Sequence, residues 1–169
     1  MGSVESNDDG DSGVDAIMAE RVIKALHLLD QKDEPITIIM NNPGGDWFHG
    51  MAIYDAIKAC QSHITIKVYG MAMSMGGVIL QAADKRIMMP NAKFMMHYGY
   101  MGWDGHSKTF DRWAAENKRI NKEMEQIFLD KMQEVNANFT LKQLEDLLDH
   151  DTIYTAQETV NMGLADEVA

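Results

Sequence analysis

Hydrophobic positions change period several times along the chain. Ile17, Met18, Val22, Ile23, Leu26 and Leu29 fall near helical spacing and predict a helix over about 15–30. Ile36 to Met40 is a short β-branched apolar run, the mark of a buried strand. Asn41-Asn42-Pro43-Gly44-Gly45 then breaks the chain, and Met51, Ile53, Tyr54, Ile57 and Cys60 predict a second helix over about 49–61. Ile64 to Tyr69 reads as the next strand, with Gly70 to Ser74 as a tight passage into a third helix carrying Val78, Ile79 and Leu80. Ile87 to Met89 and Phe94 to Met96 read as short strands around a Pro90-Asn91 turn.

A glycine-rich aromatic loop follows over 97–106, then a long helix over about 108–135. Phe110, Trp113, Ile120, Met124, Ile127, Phe128 and Met132 form its single apolar stripe. At 1.5 Å per residue that helix is roughly 40 Å long, more than one small domain must cover. A helix over about 140–148, a short strand, a helix from about 155 and a closing strand near 164–168 complete the pattern. Alternation of strands and helices implies an α/β fold. Residues 1–13 are small, polar and acidic, so they read as a flexible opening segment before a single domain over 14–169.

Composition narrows the function classes. The 169 residues are 46% hydrophobic and 24% charged, an ordinary balance for one globular domain. A net charge of −11 argues against nucleic-acid binding, which needs basic surface. No apolar run reaches the ~18–20 residues of a membrane span, and no secretory signal pattern opens the chain. A cytoplasmic setting is expected. The lone Cys60 excludes an internal disulfide and reads as packing.

Ser74 is the first candidate for chemistry. It lies between a buried strand and an apolar helix, with Ala72 and Gly76 two positions to either side. Small residues there permit the sharp turn of a nucleophile elbow, and the helix N-terminus adds N–H groups near a developing oxyanion. A structural serine at a strand-to-helix turn would look the same. Pro43-Gly44-Gly45 could aim a backbone N–H at a substrate, or be an ordinary turn. The candidate bases are His27, His49, His63, His97, His106 and His150; His97, at the end of an apolar strand, has the most rigid setting. Aspartates are too numerous for the pattern to choose among them.

Four blocks in order carry a resemblance. Asn42-Pro43-Gly44-Gly45 with Gly50 to Asp55, Gly70 to Gly76, Pro90-Asn91-Ala92 with Met95-Met96-His97, and Asp151 to Glu158 with Gly163 to Asp166 resemble the corresponding blocks of ClpP-type serine peptidases. The resemblance implies Ser74 as nucleophile, His97 as general base and Asp151 as the group orienting the imidazole. It implies an oxyanion hole from the backbone N–H groups of Gly45 and Met75, and hydrolysis of polypeptides with no metal or organic cofactor. The fold implied is a ClpP/crotonase-like spiral of β-β-α units with a projecting long helix. Heptameric homo-oligomeric rings are implied too, stacked through that helix.

There are departures. Family members carry an axial segment and a first strand before the equivalent of residue 14, and that region meets an AAA+ unfoldase. This sequence lacks the match there, so an unfoldase partner is left open. Asp46, Trp47 and Phe48 stand where the family is smaller or apolar, and Tyr98-Gly99-Tyr100 replaces a polar-proline pair after the histidine. A carboxylate at 46 would oppose an oxyanion unless it points away. These features resemble the divergent, phage-like branch of the family. The alternatives are a catalytically inactive ring or assembly subunit and a crotonase-like acyl-CoA enzyme.

Overall fold

The computed structural model describes residues 13–32, 34–100 and 106–169. The acidic opening segment apart from Gly13, and residues 101–105 of the aromatic loop, lie outside them. Six strands and six α-helices are present among the described residues. Helix α1 (Ala16–Leu29) starts at Asp15, whose carboxylate accepts from the Met18 N–H at 2.8 Å, and a short 3₁₀ turn (Asp30–Lys32) follows it. Strand β1 (Ile36–Asn42) leads through the glycine turn to α2 (Trp47–Ala59). Strand β2 (Ile64–Met73) runs straight up to Ser74 and α3 (Met75–Leu80). Then come β3 (Lys85–Met88), β4 (Lys93–Met95), α4 (Ser107–Val135), α5 (Leu141–Leu148), β5 (Ile153–Thr155), α6 (Ala156–Asn161) and β6 (Glu167–Val168).

β2 is the spine of the sheet. One edge pairs in parallel with β1. The other is shared: its first half pairs with β3 (Thr65 to Val68) and its last three residues with β4 (Met71 to Met73), both parallel. Sharing one edge between two successive strands turns the chain onto a new layer as it climbs, which is the β-β-α spiral expected. β6 extends the β3 side in parallel, and β5 closes the β4 side antiparallel.

Within the expected passage at Gly70 to Ser74, Gly70 to Met73 is strand and the turn falls on Ser74 alone. Met40 pairs with Val68 but Asn42 with Ala72, so β2 holds two extra residues in a bulge. Gly70, at φ 103°, absorbs the kink, and the Asn41 side chain accepts from the Met71 N–H at 3.2 Å to restart the ladder. The closing strand is shorter than expected. Leu164 and Ala165 are buried without joining it, and Asp166 turns inward to Arg86.

The core gathers between sheet and helices. Ile64, Ile66, Val68, Leu80, Met88, Phe94 and Met96 are fully buried, each worth about 1.5–3 kcal/mol in transfer. Phe128 of α4 meets Phe94 edge-on with centroids 6.2 Å apart. With Met124 and Met132 it docks the C-terminal half of α4. The N-terminal half buries nothing fully: Phe110 and Trp113 remain about half exposed. No helix among the described residues is long and apolar enough to cross a membrane. Arg86, nearly buried, donates to both carboxylate oxygens of Asp166 and to Gln81 Oε1 and Gly163 O, tying the C-terminal segment to β3.

Candidate active site

The carboxyl ends of three neighbouring parallel strands converge. β1 delivers the glycine turn, β2 delivers Ser74, and β4 delivers His97 two residues beyond its last paired position. β5 then brings Asp151, because its antiparallel register with β4 (Met95 opposite Ile153) sets the preceding residues beside His97.

Ser74 is the one non-glycine residue with positive φ among those described, at φ 51° and ψ −122°. That conformation costs about 1–3 kcal/mol and persists because its surroundings hold it. Its N–H donates to Met95 O at 2.9 Å, and its carbonyl accepts from Gly77 and Val78 at the start of α3. The small neighbours have physical causes. Ala72 is fully buried, and a Cβ on Gly76 would lie 2.9 Å from Asn42 O.

His97 Nε2 lies 3.0 Å from Ser74 Oγ, and Nδ1 lies 2.7 Å from Asp151 Oδ1. An imidazole protonated on Nδ1 donates to the carboxylate and leaves Nε2 to accept the serine O–H. The ring is largely buried, while the Asp151 side chain is half exposed. Its neighbours clamp the histidine. Met96 is fully buried, the Tyr98 N–H donates to Leu148 O, and the Tyr98 hydroxyl donates to Glu125 at 2.7 Å. Burial first, then that bond to Glu125, pushes the Tyr98 phenol far above its usual range.

The glycine turn presses against the serine. A Cβ on Gly44 would fall 2.7 Å from Ser74 Cβ, and one on Gly45 would fall 2.3 Å from Val14 N, so neither position admits a side chain. Val14 donates to Gly44 O and accepts from Asp46 N–H, which turns the Gly45 N–H to the side away from Val14. Asn42 shapes the turn by accepting from the Gly44 N–H at 2.7 Å. The Met75 N–H, in the first turn of α3, has no acceptor within its own helix. Gly45, Met75, Ser74 and His97 line one cavity of about 570 Å³. Its inner wall is apolar at Met75, Val78, Ile120 and Met124. Asp46 also lines it, with its carboxylate accepting from the His49 N–H at 2.9 Å as the cap of α2.

All five residues proposed from the sequence therefore meet at one place. The other histidines lie elsewhere: His63 is 3.8 Å from Asp84 at the surface, and His106 caps α4 by accepting from Lys108 N–H. Cys60 donates to Ala56 O, and burial, with Asp30 and Asp84 nearby, raises its thiol pKa, away from nucleophilic use. Three contributors noted in the sequence received no role there. Asn42 had a signal, an Asx turn ahead of Pro-Gly. Tyr98 and Tyr100 had none, because their partners are distant in sequence.

The family model described as Clp protease matches residues 11–169. An ATP-dependent Clp protease proteolytic subunit of Deinococcus radiodurans is 32% identical over 159 residues, covering 92% of this chain and 76% of that protein. Its namesake in Streptococcus gordonii is 36% identical over 157 residues, covering 89% and 78%.

Proposed function

The chain belongs to the Clp protease family of serine-type endopeptidases, and on that premise we propose that Ser74, His97 and Asp151 are its catalytic triad, acting on polypeptides inside an oligomeric chamber. The observation that carries the reading is the unbroken hydrogen-bonded series Asp151–His97–Ser74, ending on a serine in a strained turn. His97 takes the Ser74 proton as Oγ attacks the scissile carbonyl carbon. The oxyanion forms against the N–H groups of Gly45 and Met75. The amine leaves with the proton from His97, and water, activated by the same imidazole, releases the acyl group from Ser74. Asp151 keeps the imidazole in the tautomer that can accept at Nε2. The apolar wall at Met75, Val78 and Met124 suits an apolar side chain next to the scissile bond.

Residues 14–169 form one peptidase domain in this reading. The oligomer is supported by α4, whose 29 residues run well beyond the stretch that buries Met124, Phe128 and Met132 in the core. Stacked heptameric rings are the assembly proposed. The names of both relatives include ATP dependence. Supply of unfolded polypeptide by an ATPase is a separate proposal for this chain, tested by whether short peptides are cut without ATP while folded proteins are not.

The decisive experiment is labelling of sized oligomer with a fluorophosphonate probe, for wild type, Ser74→Ala and His97→Ala. Labelling at Ser74 that is lost in both variants is expected. An intact oligomer without labelling would instead favour a non-catalytic assembly subunit.

A further inference from the structure

Asp151 is gripped at both oxygens. His97 uses Oδ1 at 2.7 Å, and the Tyr100 hydroxyl donates to Oδ2 at 3.1 Å. The Tyr100 ring also meets His97 edge-on, with centroids 5.6 Å apart and planes at 74°. A carboxylate bonded through one oxygen is free to rotate about its last torsion, and a half-exposed one has solvent competing for the other oxygen. A second bond removes that freedom. Tyr100 is 87% exposed, so burial contributes little to holding its side chain. Among the described residues, its side chain meets His97 and Asp151.

We propose that Tyr100 is a positioning residue that holds the Asp151 carboxylate in line with the His97 imidazole. This rests on the peptidase reading above. Tyr100 also lines the cavity, but its hydroxyl is bonded to Asp151, so removing that hydroxyl alone acts through Asp151 on the proton carrier and on the chemical step.

The test is a double-mutant cycle on the assembled protein. Tyr100→Phe keeps the ring against His97 and removes the hydroxyl. In the wild-type background it is expected to lower kcat, and the rate of fluorophosphonate labelling at Ser74, about fivefold with KM unchanged, the scale of one exposed charge-assisted hydrogen bond. In an Asp151→Asn background the same change is expected to add no further loss. An equal loss in both backgrounds, a loss carried by KM, or no loss would overturn the proposal. A second readout does not depend on turnover. The bond to Asp151, with its nearby negative charge, raises the Tyr100 phenol pKa. Carbon NMR of labelled tyrosine is expected to find that titration raised in wild type and returned to the ordinary range in Asp151→Asn. An ordinary titration in wild type would overturn the tie. If wild-type oligomer failed to label at Ser74, the peptidase reading would fall, and the phenol titration would still decide whether Tyr100 holds Asp151.

Discussion

Ser74→Gly is expected to be more stable than Ser74→Ala, although both remove the proposed nucleophile. The wild-type residue sits at φ 51°, ψ −122°, where a Cβ costs about 2 kcal/mol and glycine costs little. Alanine inherits that strain in full. Glycine escapes it but gives up about 0.7 kcal/mol through the greater freedom of its unfolded chain. It also loses a half-buried methyl against Gly44, worth about 0.4 kcal/mol. The balance favours glycine by about 1 kcal/mol, or about 3 °C in midpoint for a chain of this size. Denaturant unfolding or a thermal scan of the two inactive variants at matched protein concentration reads the difference, since assembly makes the midpoint depend on concentration. Inactive variants also remove self-digestion as a confounding signal. If Ser74→Ala proved equal or superior in stability, the strain would not be stored at this residue, and the argument that the fold holds the serine in a costly turn would fail.

Other perturbations separate the parts of the site. Asp46→Asn keeps a side chain able to cap α2 but removes a negative charge from the cavity. Cleavage of neutral peptides is expected to rise about threefold in kcat/KM, while peptides with Lys or Arg beside the scissile bond lose any advantage; unchanged ratios would place Asp46 outside the electrostatics of the reaction. Gly45→Ala puts a methyl into the Val14 backbone, so peptide hydrolysis and Ser74 labelling should both collapse while circular dichroism stays largely native. Burial by itself raises the Asp166 carboxyl, but the hydrogen bonds and charge of Arg86 outweigh it and hold the group below its usual range. Its contribution to stability is therefore full above the unfolded carboxylate pKa near ~3.9 and is lost as pH falls through the lower folded value. Acid unfolding of Asp166→Asn should show a shallower slope in that window, and an unchanged slope would contradict the pairing.

Local physics explains what could be read in advance. Ile36 to Met40 and Ile64 to Val68 are β-branched runs whose partners lie in register, so pattern and structure agree. The α4 stripe was visible because Met124, Phe128 and Met132 repeat every four residues. Gly70 to Met73 was misread as a turn, because its ladder depends on the side chain of Asn41, which no periodicity reports. Ser74 and the glycine turn carried a local steric signature. Asp151 did not, because antiparallel pairing of β5 with β4 selects it among many acids. The resemblance to known blocks supplied that residue. Tyr100 lies 51 positions from its partner, in a segment unlike those blocks, and only folding brings the two together.

The late arrival of β5 has a consequence during synthesis. A chain emerging from the ribosome exposes Ser74 and His97 first, while Asp151 follows only after the whole of α4 and α5 has been made. At about 5–20 residues per second, the 54-residue gap between His97 and Asp151 leaves a nascent chain for seconds with two members of the proposed triad and not the third. Losing the aspartate's role costs a serine hydrolase roughly four orders of magnitude in rate. In the proposed mechanism the aspartate is therefore the last of the three residues to be synthesised, and the strand that positions it, β5, pairs with a β4 made more than fifty residues earlier.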